Sequence, residues 1–268
     1  MVVDQGAPPR LGPNLTSHVH IQLLGSFHLT KAGRSVSTRG GGKTEAFLAR
    51  LALHPGRLVP RDVILEMLWP DTDPAAAGQS LNTLVYSLHK LLGDALGGAT
   101  PVLHAEGAYR LNLEAGVSVD VWYLERLGEA GDTCARADDR EGCIALYERG
   151  IQLYRGDLCI SQDLQALVER ERLRNLYLSM LARLADYAFE DREYTRSLGH
   201  ALRLLSCEPI REDAHRLAMR CYVRRGERAQ AMRQFRLCSE MLRREFDANP
   251  EPATTALFEH IRNDPTAI

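Results

Sequence analysis

Apolar residues alternate along Val19, Ile21, Leu23, Phe27 and Leu29, broken by Gly25, a period that predicts a strand or a strand pair. Lys31-Ala32-Gly33-Arg34 then predicts a hairpin turn into a short strand through Val36. From Lys43 to His54 the period lengthens to that of a helix. Phe47, Leu48, Leu51 and Ala52 share one side, and Pro55-Gly56 closes it. Pro60 and Arg61 open a second helix carrying Val63, Ile64, Met67, Leu68 and Trp69. The loop Asp71-Thr72-Asp73-Pro74 offers an N-cap and an early proline for a third helix, Ala75 to Leu92. After Gly97-Gly98, the runs Val102 to Ala105 and Ala108 to Leu113 predict a hairpin with Glu106-Gly107 at its tip.

The third helix is the most informative segment. Ala77, Leu81, Leu84, Val85, Leu88 and Leu92 fall on one stripe, and Gln79, Asn82, Thr83, Tyr86 and Lys90 fall opposite. That polar face holds no carboxylate, whereas an ordinary solvated face mixes charges at i,i+4 spacing. Amides and hydroxyls without acid suit a helix laid in a major groove, where they meet base edges and phosphates. A plain surface helix is the alternative. In the hairpin that follows, Tyr109 beside Arg110 has the composition of a wing that contacts phosphate or a minor groove. The other reading packs Tyr109 on the domain and leaves Arg110 in solvent.

From Asp120 to Arg262 nearly everything has helical period, in blocks separated by Gly142, Gly156, Pro209, Gly226 and Pro250. Two blocks are alike. Leu184-Ala185 and Leu217-Ala218 begin them 33 residues apart, close to the roughly 34-residue tetratricopeptide period. The expected architecture is therefore mainly α with a small β component: a winged helix-turn-helix domain over 18–115 and a tetratricopeptide-like all-helical domain over 116–268. Residues 1–17, rich in Pro and Gly and without an apolar core segment, are expected to form a disordered tail and not a signal peptide.

Composition changes this picture in three ways. The short, charge-interrupted apolar runs predict no membrane span and a cytoplasmic protein. Residues 18–119 carry 9 Lys+Arg against 8 Asp+Glu, so any electrostatic footprint for nucleic acid is weak. The six cysteines, at 134, 143, 159, 207, 221 and 238, show no C-x-x-C spacing and read as reduced, mostly buried thiols.

Candidate chemistry is sparse. Gly40-Gly41-Gly42-Lys43-Thr44 invites comparison with a phosphate-binding loop, but that motif requires glycine where Ser37 stands. Lys43 and Thr44 fit better at a helix start whose amides face a phosphate. His18 and His20 share a strand face without an acidic or thiol partner nearby, and read as a surface pair. No nucleophile stands with a base and an orienting third group. An enzyme is not expected, nor are a cofactor or a metal site.

The order of these parts resembles a known family. The strands, the helical unit with Trp69-Pro70, the helix Leu81…Val85…Leu88…Leu91-Leu92-Gly93 and the hairpin Gly107-Ala108-Tyr109-Arg110-Leu111 resemble the OmpR-type winged helix. Asp120-Val121-Trp122-Tyr123-Leu124, Leu146-Tyr147, Tyr154-Arg155-Gly156-Asp157-Leu158 and Pro252…Ala256-Leu257-Phe258-Glu259-His260-Ile261 resemble the bacterial transcriptional activator domain. Together they are similar to the Streptomyces antibiotic regulatory protein family, over Val19 to Arg262.

The resemblance implies a transcriptional activator that binds direct repeats in double-stranded DNA near promoters and recruits RNA polymerase. It implies base reading by Asn82, Thr83, Tyr86 and Lys90, with Gln79 and His89 as further DNA contacts on the same helix. Phosphate contacts fall to Lys43, Arg61 and Arg110, with Tyr109 in the wing, and the helical domain assists self-association on tandem repeats. A small-molecule effector is a candidate partner, with no binding residues assigned. The chain departs from the family where His89-Lys90 replaces a pair of permanent cations and Gly78-Gln79-Ser80 replaces an arginine-bearing segment. These departures, with the near-neutral charge, keep a second reading open: a ligand sensor or adaptor whose winged helix binds protein or nucleotide.

Overall fold

A computed structural model of the chain describes residues 18–38, 42–53, 56–160 and 164–263. The expected tail, 1–17, and Pro55 of the expected helix stop lie outside them. The fold comprises two compact units: Met1–Ala130 with Gln152–Arg174, and Gly131–Ile151 with Asn175–Ile268. The expected division at 115/116 is thus not where this partition falls.

The first unit opens with β1 (Val19–Gln22), β2 (His28–Lys31) and β3 (Arg34–Ser35), which pair antiparallel in sequence. Ala32 and Gly33 both adopt positive φ at the β2–β3 turn, the tight hairpin geometry that glycine favours. A strand that periodicity did not reveal, β7 (Val117–Val119), joins the free edge of β1 in parallel and gives the order β3-β2-β1-β7. His20 is partly buried, and its Nδ1 lies 2.9 Å from the Ser118 hydroxyl across that pair. Burial and the nearby Arg155 lower its pKa.

Three helices follow: α1 (Gly42–Ala52), α2 (Arg61–Leu68) and α3 (Pro74–Leu92). The inward residues expected on α1, Phe47, Leu48, Leu51 and Ala52, are all buried. A three-stranded sheet, β4-β6-β5, joins β4 (Val59–Pro60) to the hairpin of β5 (Val102–Ala105) and β6 (Ala108–Leu111). Glu106 and Gly107 form the tip, both at positive φ.

What fixes the first unit is Asp120, the first residue of α4 (Asp120–Arg136) and only 2% exposed. Its carboxylate accepts the N–H groups of Leu23 (2.9 Å) and Leu24 (2.8 Å), just past β1, and of its own neighbour Val121 (2.8 Å). Burial raises its pKa, and the same N–H donors pull the other way. The outgoing side of that turn is also paired. Gly25 N–H donates to Asp157 C=O and Cys159 N–H to Leu23 C=O, both at 2.9 Å. Gly25 lies at φ +93°, and a Cβ there would stand 3.1 Å from the Arg155 carbonyl group. Glycine is required by both conformation and space.

From α4 onward the chain forms helical hairpins, and their turns repeat in detail. α4 is followed by α5 (Arg140–Leu153), α6 (Leu164–Glu190) by α7 (Tyr194–Cys207), and α8 (Glu212–Arg224) by α9 (Arg228–Phe246), with α10 (Pro252–Asn263) last. At each hairpin turn one residue is left-handed: Asp138, Arg192 or Gly226. The next N–H reaches back five residues, from Asp139 to Cys134, Glu193 to Ala188 and Glu227 to Tyr222. This is the Schellman closure of a helix. Arg192 and Gly226 stand 34 residues apart, so the repeat read from apolar onsets as 33 is 34 at its turns. Gly142 is no separator. It lies inside α5, where its N–H donates to the capping carboxylate of Asp139 at 2.9 Å. The repeat core places Ala185, Leu198, Ala201, Leu217, Ala218 and Cys221 together. Among the described residues no helix is long and apolar enough to cross a membrane.

His215 is buried on α8 between two partners. Its Nε2 is 2.8 Å from the Pro209 carbonyl and its Nδ1 is 2.7 Å from the Gln234 amide. The carbonyl only accepts, so the neutral ring carries its proton on Nε2 and receives a bond at Nδ1. Burial lowers its pKa, and burial together with Arg196 and Arg203 pushes His200 down to about 4.

Two outcomes follow. In Asp120→Asn an amide donor must face the N–H groups of Leu23 and Leu24, and urea unfolding is expected to show a loss of about 3 kcal/mol. A loss below about 1 kcal/mol would show the carboxylate to be dispensable. For the histidines, a folded pKa below the unfolded 6.5 stabilises fully above pH 6.5, and that contribution is lost as pH falls below it. The urea midpoint is therefore expected to fall between pH 7 and pH 5, and less steeply in His215→Phe.

Candidate nucleic-acid interface

α3 is held along its length before it presents anything. Asp73 caps it, accepting the N–H groups of Ala75 and Ala76 at 3.1 Å each, with Pro74 in the first turn. Leu81, Leu84, Leu88 and Leu92 are buried, each contributing roughly 2 kcal/mol by removal from water. At the far end, Lys31 reaches from the β2–β3 turn. Its Nζ donates to the Leu91 carbonyl at 2.7 Å and pairs with Asp94 at 2.6 Å. A cation on the last carbonyls of a helix complements its dipole. The hydrogen bond from Lys31 lowers the pKa of Asp94. Composition gave no sign of this clamp.

The opposite face is open. Gln79, Asn82, Thr83, Tyr86, Ser87 and Lys90 are exposed, Tyr86 to 66%, and no carboxylate lies among them. The hydroxyls are not free rotors. Thr83 donates to the Gln79 carbonyl at 3.0 Å and Ser87 to the Thr83 carbonyl at 2.8 Å, which leaves both with lone pairs to offer.

The expected phosphate contacts are spread around this face. Arg61 starts α2 and lays its guanidinium over Gly78 of α3, so closely that any Cβ at 78 would collide with it. Gly78, in the segment Gly78-Gln79-Ser80, thus leaves room for a cation from the neighbouring helix. Arg61 N–H also donates to the Gly107 carbonyl at the hairpin tip, 2.9 Å. Lys43, in the first turn of α1, sits 4.9 Å from the ring centroid of Trp69, a cation–π contact. The glycines Gly40 and Gly41 before it lie outside the described residues. Arg110 on β6 is partly exposed, 3.8 Å from Glu114.

Two expected contacts are corrected. Tyr109 is 3% exposed, a core residue and not a groove-facing one. Its ring packs edge-on to Phe47 at 6.0 Å and stacks on His104 at 4.4 Å. Neighbours on a strand face opposite ways, so Tyr109 and Arg110 cannot both face outward. His104, exposed on the hairpin with Tyr109 beneath it, is a position that sequence reading did not single out. His89 is only half exposed. Its ring lies against Gly93 with Nδ1 buried and without a hydrogen-bond partner. Lys90 is the exposed member of that pair.

Known proteins resemble this chain over most of its length. Residues 119–262 match the family described as bacterial transcriptional activator domain. The regulatory protein DnrI of Streptomyces peucetius is 24% identical over 253 residues, 91% of each chain. The transcriptional regulatory protein MoaR1 of Mycobacterium tuberculosis is 24% identical over 255 residues, 91% of this chain and 79% of that protein. The solved structure of Mycobacterium tuberculosis EmbR in complex with a low-affinity phosphopeptide has a TM-score of 0.70 at 23% identity, over 91% of this chain. That likeness shows the fold, and the present chain spans 65% of the EmbR chain's length.

Removal of the Lys31 clamp is expected to loosen the end of α3. In Lys31→Met, amide exchange in the last turn should quicken about threefold to fivefold, as a helix-terminal charge contributes up to about 1 kcal/mol. Unchanged exchange there would remove the clamp from the account.

Proposed function

The chain is a transcriptional regulator of the Streptomyces antibiotic regulatory protein family, marked by the bacterial transcriptional activator domain, and from that premise we propose that it activates transcription by binding direct repeats near promoters and recruiting RNA polymerase. The observation that carries the reading is the exposed face of α3, polar and free of carboxylate, with Tyr86 standing out of it. Amides and hydroxyls there meet base edges, where Asn82 and Gln79 suit adenine, and Lys90 suits guanine or phosphate. Lys43, Arg61 and Arg110 hold the backbone on either side. His104 is added to the hairpin contacts, and Tyr109 supports it from beneath. The helical unit associates with a second copy on the adjacent repeat and meets the polymerase. Each protomer carries a formal net charge of −2, so pairing on tandem sites supplies the affinity that one copy lacks.

The test is binding to labelled DNA from upstream of its own gene and neighbouring operons, over a salt series with competitor. Four phosphate contacts per protomer (Lys43, Arg61, Lys90, Arg110) imply a log–log salt slope of about −3.5 per protomer. Lys90→Ala with Arg110→Ala should flatten it by about 2 and abolish competitor-resistant binding. Retention of specific binding in that double variant would overturn the assignment. Absence of saturable binding at low salt would instead favour the ligand sensor or adaptor.

A further inference from the structure

The seam between α1 and α3 opens into a cavity of about 560 Å³. Its floor includes two buried residues, Thr44 of α1 and Leu88 of α3, while Tyr86 and Lys90 stand exposed at its rim. The rim residues belong to the face that reads DNA in the function proposed above, on which this inference rests. The floor lies deeper, in the packed seam, where a base-pair edge lying on α3 does not reach. A cavity of this size suits a small molecule of several fused rings.

The lining specifies chemistry as well as size. The Thr83 and Ser87 hydroxyls have given their protons to backbone carbonyls of α3. Thr38, on the other wall, donates to Glu45 across a long 3.5 Å. All three therefore face an occupant as acceptors and call for hydroxyl or amine donors on it. Lys90 is the one cation among the described lining residues, and no carboxylate is among them. The Tyr86 ring with Leu88 and Leu91 supplies flat apolar surface. We propose that this cavity binds a fused-ring aromatic acid bearing hydroxyl groups, with the rings between Tyr86 and Leu88 and the acid on Lys90, and that its occupant and DNA exclude one another. A ligand of this class would switch the protein off the promoter at the reading helix itself.

The test uses the full chain and 3-hydroxy-2-naphthoate, whose own fluorescence reports binding. One probe is expected per chain, with saturable binding weakened about tenfold or more in Lys90→Met, the scale of a lost charge-assisted hydrogen bond. Ser87→Phe, a solvent-facing position, fills the cavity and should abolish binding with the thermal midpoint unchanged. 2-Naphthol, which lacks the acid, should bind the wild type as weakly as 3-hydroxy-2-naphthoate binds Lys90→Met. Promoter duplex should release the bound probe. Absence of saturable binding, or undiminished binding in Ser87→Phe, overturns the site, and a ternary complex with DNA overturns the exclusion. Probe binding is measured without DNA, so failure of the site and failure of the DNA-binding reading are read separately.

Discussion

A buried carboxylate, that of Asp120, gathers the N–H groups of Leu23 and Leu24 at the end of β1 and holds them against the start of α4. Burying an ion without partners costs several kcal/mol, so the fold tolerates Asp120 only because these donors converge on it. The consequences run along the chain. With Leu23 and Leu24 fixed, the opposite edge of the same turn pairs with Asp157 and Cys159, and the close approach of Gly25 to Arg155 follows. β7 ends at the residue before Asp120, so the same anchor sets its parallel register on β1. The junction between the winged helix and the first helix of the activator domain is therefore part of one hydrogen-bonded sheet, and is not a linker.

That sheet also positions the reading helix. Val19 on β1 pairs with Lys31 at the end of β2, and Lys31 closes the carbonyl end of α3. Asp73 closes its amide end. Between them the leucine stripe sets the rotation of the helix about its axis, so Tyr86, Asn82 and Lys90 face solvent by default. The side chains proposed to meet a base or a ligand are those that remain after the structural demands of α3 are met.

Much of this was legible in the sequence, because it depends on local period. The strand–helix order, the Asp73-Pro74 cap, the α3 stripe and the hairpin tip at Glu106-Gly107 all follow from residue spacing within a dozen positions. What was not legible depends on partners far along the chain. The β7 strand and the Asp120 anchor join residues nearly a hundred positions apart, and Lys31 meets Leu91 across sixty. Punctuation by glycine and proline placed a break at Gly142 and missed those at Asp138 and Arg192, since two of the three left-handed turn residues are not glycine. Tyr109 was misread for another reason. Its chemistry suits a groove, but the strand's alternation turns it inward, and alternation decides.

The central claim is that the outer face of α3 lies on base edges. A photo-crosslinking benzoylphenylalanine at position 86, irradiated with the protein on promoter DNA, tests it directly. The account predicts crosslinks to bases in the major groove, once per repeat and in register with the repeat spacing. Efficient DNA binding with crosslinks only to protein, or to none, would contradict it.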